Sequence, residues 1–382
     1  MGLVDEAIAD AARDNLPKRL AQLDKILRAK GIDLAELEAA SVKDVKFWQS
    51  MHKDNDGEAI VTDLAGITFS PAWETGPAWP VVQPGPKVPL HKPAKARIGK
   101  GYQRFMSLPD MQVGYFWRDG ELIPTHDEEA LAIVLAMVTD YDPDVIVLHG
   151  DNADFPELGR YRLTPSFAQT TQATVDRLTL LAGELREAAP RAGIKWLAGN
   201  HEERLSNYVI DNAKAAFGLR KGMDPDGWPV LSVPYLCRLD DVGIDYLPGY
   251  PANRYDINDG LRVIHGDKTG PAGTVAAKYL HRSHRSVMFG HIHTHDEAEV
   301  TNEDGWQVWA GSAGCLCRVD GAVPSTHSGS DLDGVPVQVH ESWQQGLFVG
   351  EFKPDSRAFS VEHVSIRHSW SRWRGREYGK AA

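Results

Sequence analysis

Cysteine is scarce: Cys237, Cys315 and Cys317 are the only three in 382 residues. Three thiols cannot build a disulfide framework, and so low a count fits a reducing compartment. No stretch approaches the ~18 consecutive apolar residues of a membrane span. The opening residues, MGLVDEAIADAARDN, lack the basic start and the apolar block of a secretory signal. The expectation is a cytoplasmic protein with no membrane partner. Positive charge is not in excess either. The chain carries 41 Lys and Arg against 53 Asp and Glu, a formal net charge of −12. That balance argues against a generally cationic binder of nucleic acid or lipid and leaves room only for local basic patches. No internal repeat is apparent. What is present is ordinary globular material, 42% hydrophobic and 25% charged, which is enough for a sizeable core. The length suits roughly two domains, or one large domain with an appendage.

Residues 1–69 form a candidate N-terminal α+β module. LAQLDKILRAKG places Leu20, Leu23, Ile26 and Leu27 at helical spacing and stops at Gly31. IDLAELEAA follows as a second short helix. VKFWQSMH and EAIVTDLAGITFS then flank a hairpin turn at Asn55, Asp56 and Gly57. The helix–Gly–helix pair resembles a helix-turn-helix. Residues 1–60, however, hold 9 Lys and Arg against 12 Asp and Glu, and a phosphate reader should be basic. A packing or oligomerisation module is the better expectation. Residues 70–100 carry seven prolines between Pro71 and Pro93 and read as a linker or strap ending in a basic stretch. Residues 101–366 form the candidate main domain. Residues 367–382 form a basic, aromatic tail with Trp370, Trp373 and Tyr378, either a packing strap or a base-stacking arm.

From Phe105 onward, short apolar runs ending in polar clusters alternate with helical stretches. The runs are FMSL, VIVL, IKWL, LRVI and SVMF. EEALAIVLAMVTDY fits a buried helix, and TVDRLTLLAGELREAA puts Val175, Leu178, Leu181 and Leu185 on one face. Buried strands with helical crossovers define an α/β core, whose site lies at the carboxyl ends of the strands. The residues there are Asp110 and Gln112, Asp151 and Asp154, Asn200 and His201, His265, and finally His291 and His293. Carboxylates, amide oxygens and imidazoles without thiolate can bind two divalent metals of the Mn, Fe, Zn or Ni type. One Asp carboxylate and a bridging hydroxide would supply the shared anions, and the metals would clamp a phosphate ester for hydrolysis. Cys315 and Cys317, as a metal pair, lack partners in the sequence and are expected to pack in the core. His281, His284 and His295 lie near these motifs and suit surface or supporting positions.

In this order, DMQ at 110–112, GDNAD at 150–154, GNHE at 199–202, HGD at 265–267 and GHIH at 290–293 make residues 105–366 resemble the calcineurin-like metallophosphoesterase superfamily. The resemblance implies a four-layer α/β/β/α sandwich of two mixed sheets. It implies a first metal site of Asp110, Gln112, Asp151 and His293. Asp151 would bridge to a second site of Asn200, His265 and His291. His201 would serve as general acid or phosphate-stabilising donor, oriented by Asp154. Gln112 stands where the family usually has His, a harder donor that favours Mn or Mg. Phe155 stands where phosphoprotein phosphatases have a phosphate-binding Arg, a task left to Arg160, Arg162 or Arg204. The expected activity is hydrolysis of a phosphodiester, in a nucleotide or nucleic acid, by a metal-bridging hydroxide. The N-terminal module and basic tail would handle the polymer. The alternatives are a phosphomonoesterase on a small molecule and a scaffold with a weakened site.

Overall fold

The computed structural model describes residues 42–53, 59–69, 91–95, 101–160, 164–280, 284–324, 329–337 and 339–380. The expected helices within 1–40, the turn at 55–57, most of the Pro-rich stretch, Arg162 and His281 lie outside them. The chain divides into two compact units, Met1–Gly85 and Pro86–Ala382. In the first, β1 (Val42–Lys53) and β2 (Ala59–Phe69) pair antiparallel.

The second unit is a mixed α/β structure built on two sheets. In chain order its elements begin with β3 (Gln103–Leu108), the small hairpin of β4 (Tyr115–Arg118) and β5 (Glu121–Pro124), and α1 (Glu128–Tyr141). Next come β6 (Val145–Leu148), α2 (Thr171–Ala188), β7 (Gly193–Leu197), α3 (Glu202–Asn212) and β8 (Ile244–Leu247). β9 (Tyr255–Asp256), β10 (Leu261–Val263), α4 (Val275–Leu280), β11 (Ser286–Met288), β12 (His295–Thr301) and β13 (Gln307–Ala313) follow. The unit closes with β14 (Gln345–Phe352), β15 (Phe359–Ile366), β16 (Trp370–Trp373) and β17 (Arg376–Gly379). One sheet has six strands in the order β15-β14-β3-β6-β7-β8, and the other has five in the order β12-β13-β11-β10-β9. β3, β6, β7 and β8 run parallel, and β14 joins β3 antiparallel. In the second sheet β10, β11 and β13 run parallel, with β9 and β12 antiparallel at the edges.

β6 and the C-terminal half of β3 bury both faces, as central parallel strands do. Met106, Leu108, Ile146 and Ile194 point toward α1 and α2 and meet Leu131, Val134, Leu178 and Leu181. Their neighbours Phe105, Val145, Val147 and Leu197 point the other way, into a cluster shared with Leu261, Val263 and Met288 of the second sheet. On that sheet Val308 and Ala310 join a cluster with Val275, Ala276 and Leu280 of α4. Helix α1 starts where the Asp127 carboxylate accepts the N–H groups of Glu129 and Ala130 at 3.1 and 3.0 Å, and it ends at Asp142 in the left-handed region.

The chain end is a packing element. β16 and β17 form a hairpin, and Trp373 and Tyr378 are buried beside α1. Trp373 meets Tyr141 edge-on at 5.1 Å, while Arg374 lies over both rings at 4.6 and 4.9 Å. Two of the three tail aromatics are thereby committed to the core. Among the described residues no helix is long and apolar enough to cross a membrane.

Candidate metal centre

Five strand ends deliver the site. Asp110 and Gln112 follow β3, Asp151 follows β6, and Asn200 and His201 lie between β7 and α3. His265 follows β10, and His291 and His293 follow β11. The turns are tight. Asp110, Gln112, Asp151, His291 and His293 all have positive φ, from 38° to 72°. Such conformations cost about 1–3 kcal/mol each outside glycine and persist where the surroundings fix them. The glycines between these residues make room: a Cβ on Gly199 would collide with the Asp151 carboxylate, and one on Gly290 with that of Asp110.

The side chains converge. Asp110 Oδ1 lies 3.4 Å from His293 Nε2, and the Asp110 carboxylate accepts the His291 N–H at 3.0 Å. Gln112 Nε2 lies 3.5 Å from Asp151 Oδ2 and 3.4 Å from His293 Nε2. Asp151 Oδ2 lies 3.3 Å from His265 Nε2, which is 3.0 Å from Asn200 Oδ1. Asp151, His265 and His291 each offer a ligand atom, and these atoms lie within 4.8 Å of one another. All but Asn200 and His291 are buried, and His265 and Asp110 are fully so.

The electrostatics of this cluster ask for a cation. His265 Nδ1 is hydrogen-bonded to the His149 carbonyl at 3.0 Å. Its other nitrogen therefore faces two oxygens, Asp151 Oδ2 and Asn200 Oδ1, that can only accept. Burial would lower the His265 pKa, but the Asp151 charge and hydrogen bond outweigh it and raise it to about 9. His293 is likewise opposed by burial and raised to about 9 by its hydrogen bond to Asp110 and that carboxylate's charge. For Asp151, burial is overcome by the charges of His201 and His265, which hold its carboxyl well below the usual range. His291 is lowered, first by burial and then by the neighbouring His265. Gln112 Oε1 is buried with no hydrogen-bond partner. An orphaned amide oxygen, two carboxylates and imidazoles aimed at acceptors fit divalent cations, which would replace the protons that otherwise hold the cluster together.

His201 sits at the rim of this set. Its backbone N–H donates to Asp151 Oδ1 at 2.8 Å. Its Nδ1 lies 2.9 Å from the Asp154 carbonyl and 3.1 Å from Asp154 Oδ1. With Nδ1 donating, Nε2 accepts from Arg204 Nη2 at 2.8 Å, and Arg204 Nη1 donates to the Asp154 carbonyl at 2.7 Å. Asp154 thus engages His201 through its backbone carbonyl, while its buried carboxylate lies close by without a hydrogen-bond partner. A cavity of about 710 Å³ opens here, lined by Asn200, Arg204, Asn207, Tyr208 and Arg160.

Two residues outside the expected set organise the site. Glu202, the last residue of GNHE, is buried and gathers five donors. Its Oε2 accepts Asp151 N and Gly199 N, both at 2.8 Å. Its Oε1 accepts Asn152 N at 2.8 Å, Ala153 N at 3.3 Å and Trp196 Nε1 at 3.2 Å. Burial and the Asp151 charge push its pKa up, and the N–H donors of Gly199 and Asn152 pull it back. His149 is fully buried, which lowers its pKa to about 4, and it is hydrogen-bonded to Ser107 Oγ. Of the remaining histidines, His295 stacks on His363 at 4.0 Å and pairs with Glu297 at 3.0 Å, away from the cluster. Cys315 and Cys317, which lacked partners in the sequence, share a group of ligand atoms with His293.

No protein-family model and no curated protein matches the chain. Among solved structures it is similar to a purple acid phosphatase from yellow lupin (Lupinus luteus) seeds, at 11% identity and a TM-score of 0.34. That similarity covers 84% of this chain and only 57% of the phosphatase.

Proposed function

We propose that the chain is a metal-dependent phosphoesterase, with a phosphodiester as the substrate class. The observation that carries this reading is the meeting of Asp110, Gln112, Asp151, His265 and His293 within hydrogen-bonding reach, with Asn200 on His265 and His291 beside them. Asp110, Gln112, Asp151 and His293 would hold one divalent cation, and Asp151, Asn200, His265 and His291 a second. When bound, the pair supplies Lewis acidity toward a phosphate and lowers the pKa of a water.

The chain's own residues do the rest. Arg204 is a cation at the cavity wall, 2.8 Å from His201 Nε2. A substrate phosphate competes for that guanidinium and draws it off the imidazole. Nε2 is then free to take a proton from solvent and pass it to the leaving oxygen, while Nδ1 keeps its own proton on the Asp154 backbone carbonyl. Glu202 contributes no reacting atom; it fixes the backbone of residues 151–153 against Gly199. The sheet and helix clusters support the four-layer arrangement that this reading expects. The preference for a diester over a monoester rests on the N-terminal module and on the basic residues of the chain end, whose Trp373 and Tyr378 are packed inward and leave its charge, not its rings, for a polymeric substrate.

Hydrolysis of bis-p-nitrophenyl phosphate and p-nitrophenyl phosphate, with Mn²⁺ and with EDTA, tests the proposal. Metal-dependent release from the diester in excess of the monoester is the expected result. Preference for the monoester would reassign the substrate class, and activity on neither with metal bound would make the chain a scaffold.

A further inference from the structure

His293 has a second side. Its Nε2 faces Asp110 and Gln112, but its Nδ1 is buried and makes no hydrogen bond. A ring nitrogen buried without a partner is costly to leave unsatisfied. The ring is only 7% exposed and is covered edge-on by Trp343 at 4.3 Å. Cys315 and Cys317, both fully buried, are its neighbours: one ligand atom from each of His293, Cys315 and Cys317 lies within 4.8 Å of the others.

The backbone explains how the three meet. In extended chain, side chains two residues apart share a face. Cys315 bridges Gln345, and Cys317 bridges His126. Gln344 pins both partners at once: its carbonyl accepts Cys315 N at 2.9 Å, and its N–H donates to the His293 carbonyl at 3.0 Å. The thiols and the imidazole are therefore held by one short segment.

We propose that His293, Cys315 and Cys317 form a site for a thiophilic divalent cation of the zinc class. Two sulfurs and an imidazole nitrogen are the soft donor set that zinc and cobalt take in tetrahedral sites, where a fourth position is filled by another ligand. The oxygen-rich side of His293, with Asp110, Gln112 and Asp151, is the hard counterpart. Binding releases both thiol protons to solvent, so the cation is held by two thiolates. A cation on this side also fixes the orientation of the His293 ring and leaves the ring proton on Nε2, from which a hard cation on that nitrogen would displace it to solvent. The site does not depend on the proposed hydrolysis and is tested without it.

The experiment is a Co²⁺ titration of the reduced, full-length protein, read by sulfur-to-cobalt charge-transfer absorption in the near ultraviolet. The site predicts a saturable band that is abolished in Cys315→Ser and Cys317→Ser and persists in Cys237→Ser and Asp151→Asn. Should the serine variants fold poorly, Cys315→Ala with Cys317→Ala keeps the site apolar and gives the same readout. Absence of the band, or its survival in the double alanine variant, overturns the proposal.

Discussion

Replacing Glu202 by Gln tests whether one buried carboxylate holds the loops of the candidate metal centre together. The carboxylate accepts five N–H groups, two on Oε2 and three on Oε1. An amide has one accepting oxygen, so its best orientation keeps the three donors on Oε1. Asp151 N and Gly199 N then lose their acceptor and face an NH₂ group. A buried donor left unpaired costs about 1–3 kcal/mol, so the two together cost about 2–6 kcal/mol. Because Asp151 carries a candidate bridging carboxylate, its loop should shift and metal affinity should fall with stability. Urea denaturation of both proteins, with metal content measured on the same preparations, provides the assay. An unchanged midpoint and unchanged metal content in Glu202→Gln would refute the reasoning.

Three further outcomes follow from the same structure. Trp373→Ala should lower stability by about 3–5 kcal/mol, the usual cost of truncating a buried Trp; a free, solvated tail would show no change in denaturation midpoint. His149 is held neutral, with its pKa near 4 against an ordinary 6.5. Between those pH values the unfolded chain binds a proton that the folded one refuses, so stability should fall on acidification across that window, by about 3 kcal/mol in full. His149→Gln should flatten that part of the pH profile, and an unaltered slope would contradict the assignment. His201→Ala should cut turnover by about 10²–10⁴-fold and leave both metals in place, with a milder loss on substrates with good leaving groups. Loss of metal in that variant would make His201 a ligand or a structural support.

Much of the main unit was legible in the sequence because its signals are local. EEALAIVLAMVTDY begins after a capping Asp and coincides with α1, and the runs before Pro109, His149 and Ala198 are parallel strands, the first two buried on both faces where they end. The polar residues that close the runs gather at the carboxyl ends of the parallel strands of each sheet, and the packing of the two sheets brings the two groups together. What escaped notice depends on contacts far apart in the chain. Glu202 reads as one more acidic residue in a helix's first turn, and only the fold brings residues 151–153 onto it. The CLC pair sits more than twenty residues from His293 and meets it through Gln344. The chain end looks basic and solvated, yet Trp373 and Tyr378 turn inward because α1 offers them Tyr141 and an apolar flank. Arg204 and His201 are one helical turn apart, a spacing that was visible, but their hydrogen bond depends on Asp154.

The most direct test of the account is the metal content of the purified protein and of Asp151→Asn, measured alongside hydrolysis of bis-p-nitrophenyl phosphate. The account predicts two hard cations per wild-type chain, activity lost to EDTA and restored by Mn²⁺, and a variant depleted in both metal and activity. A variant that keeps two metals and normal turnover, or a wild type whose hydrolysis is indifferent to EDTA, would contradict it.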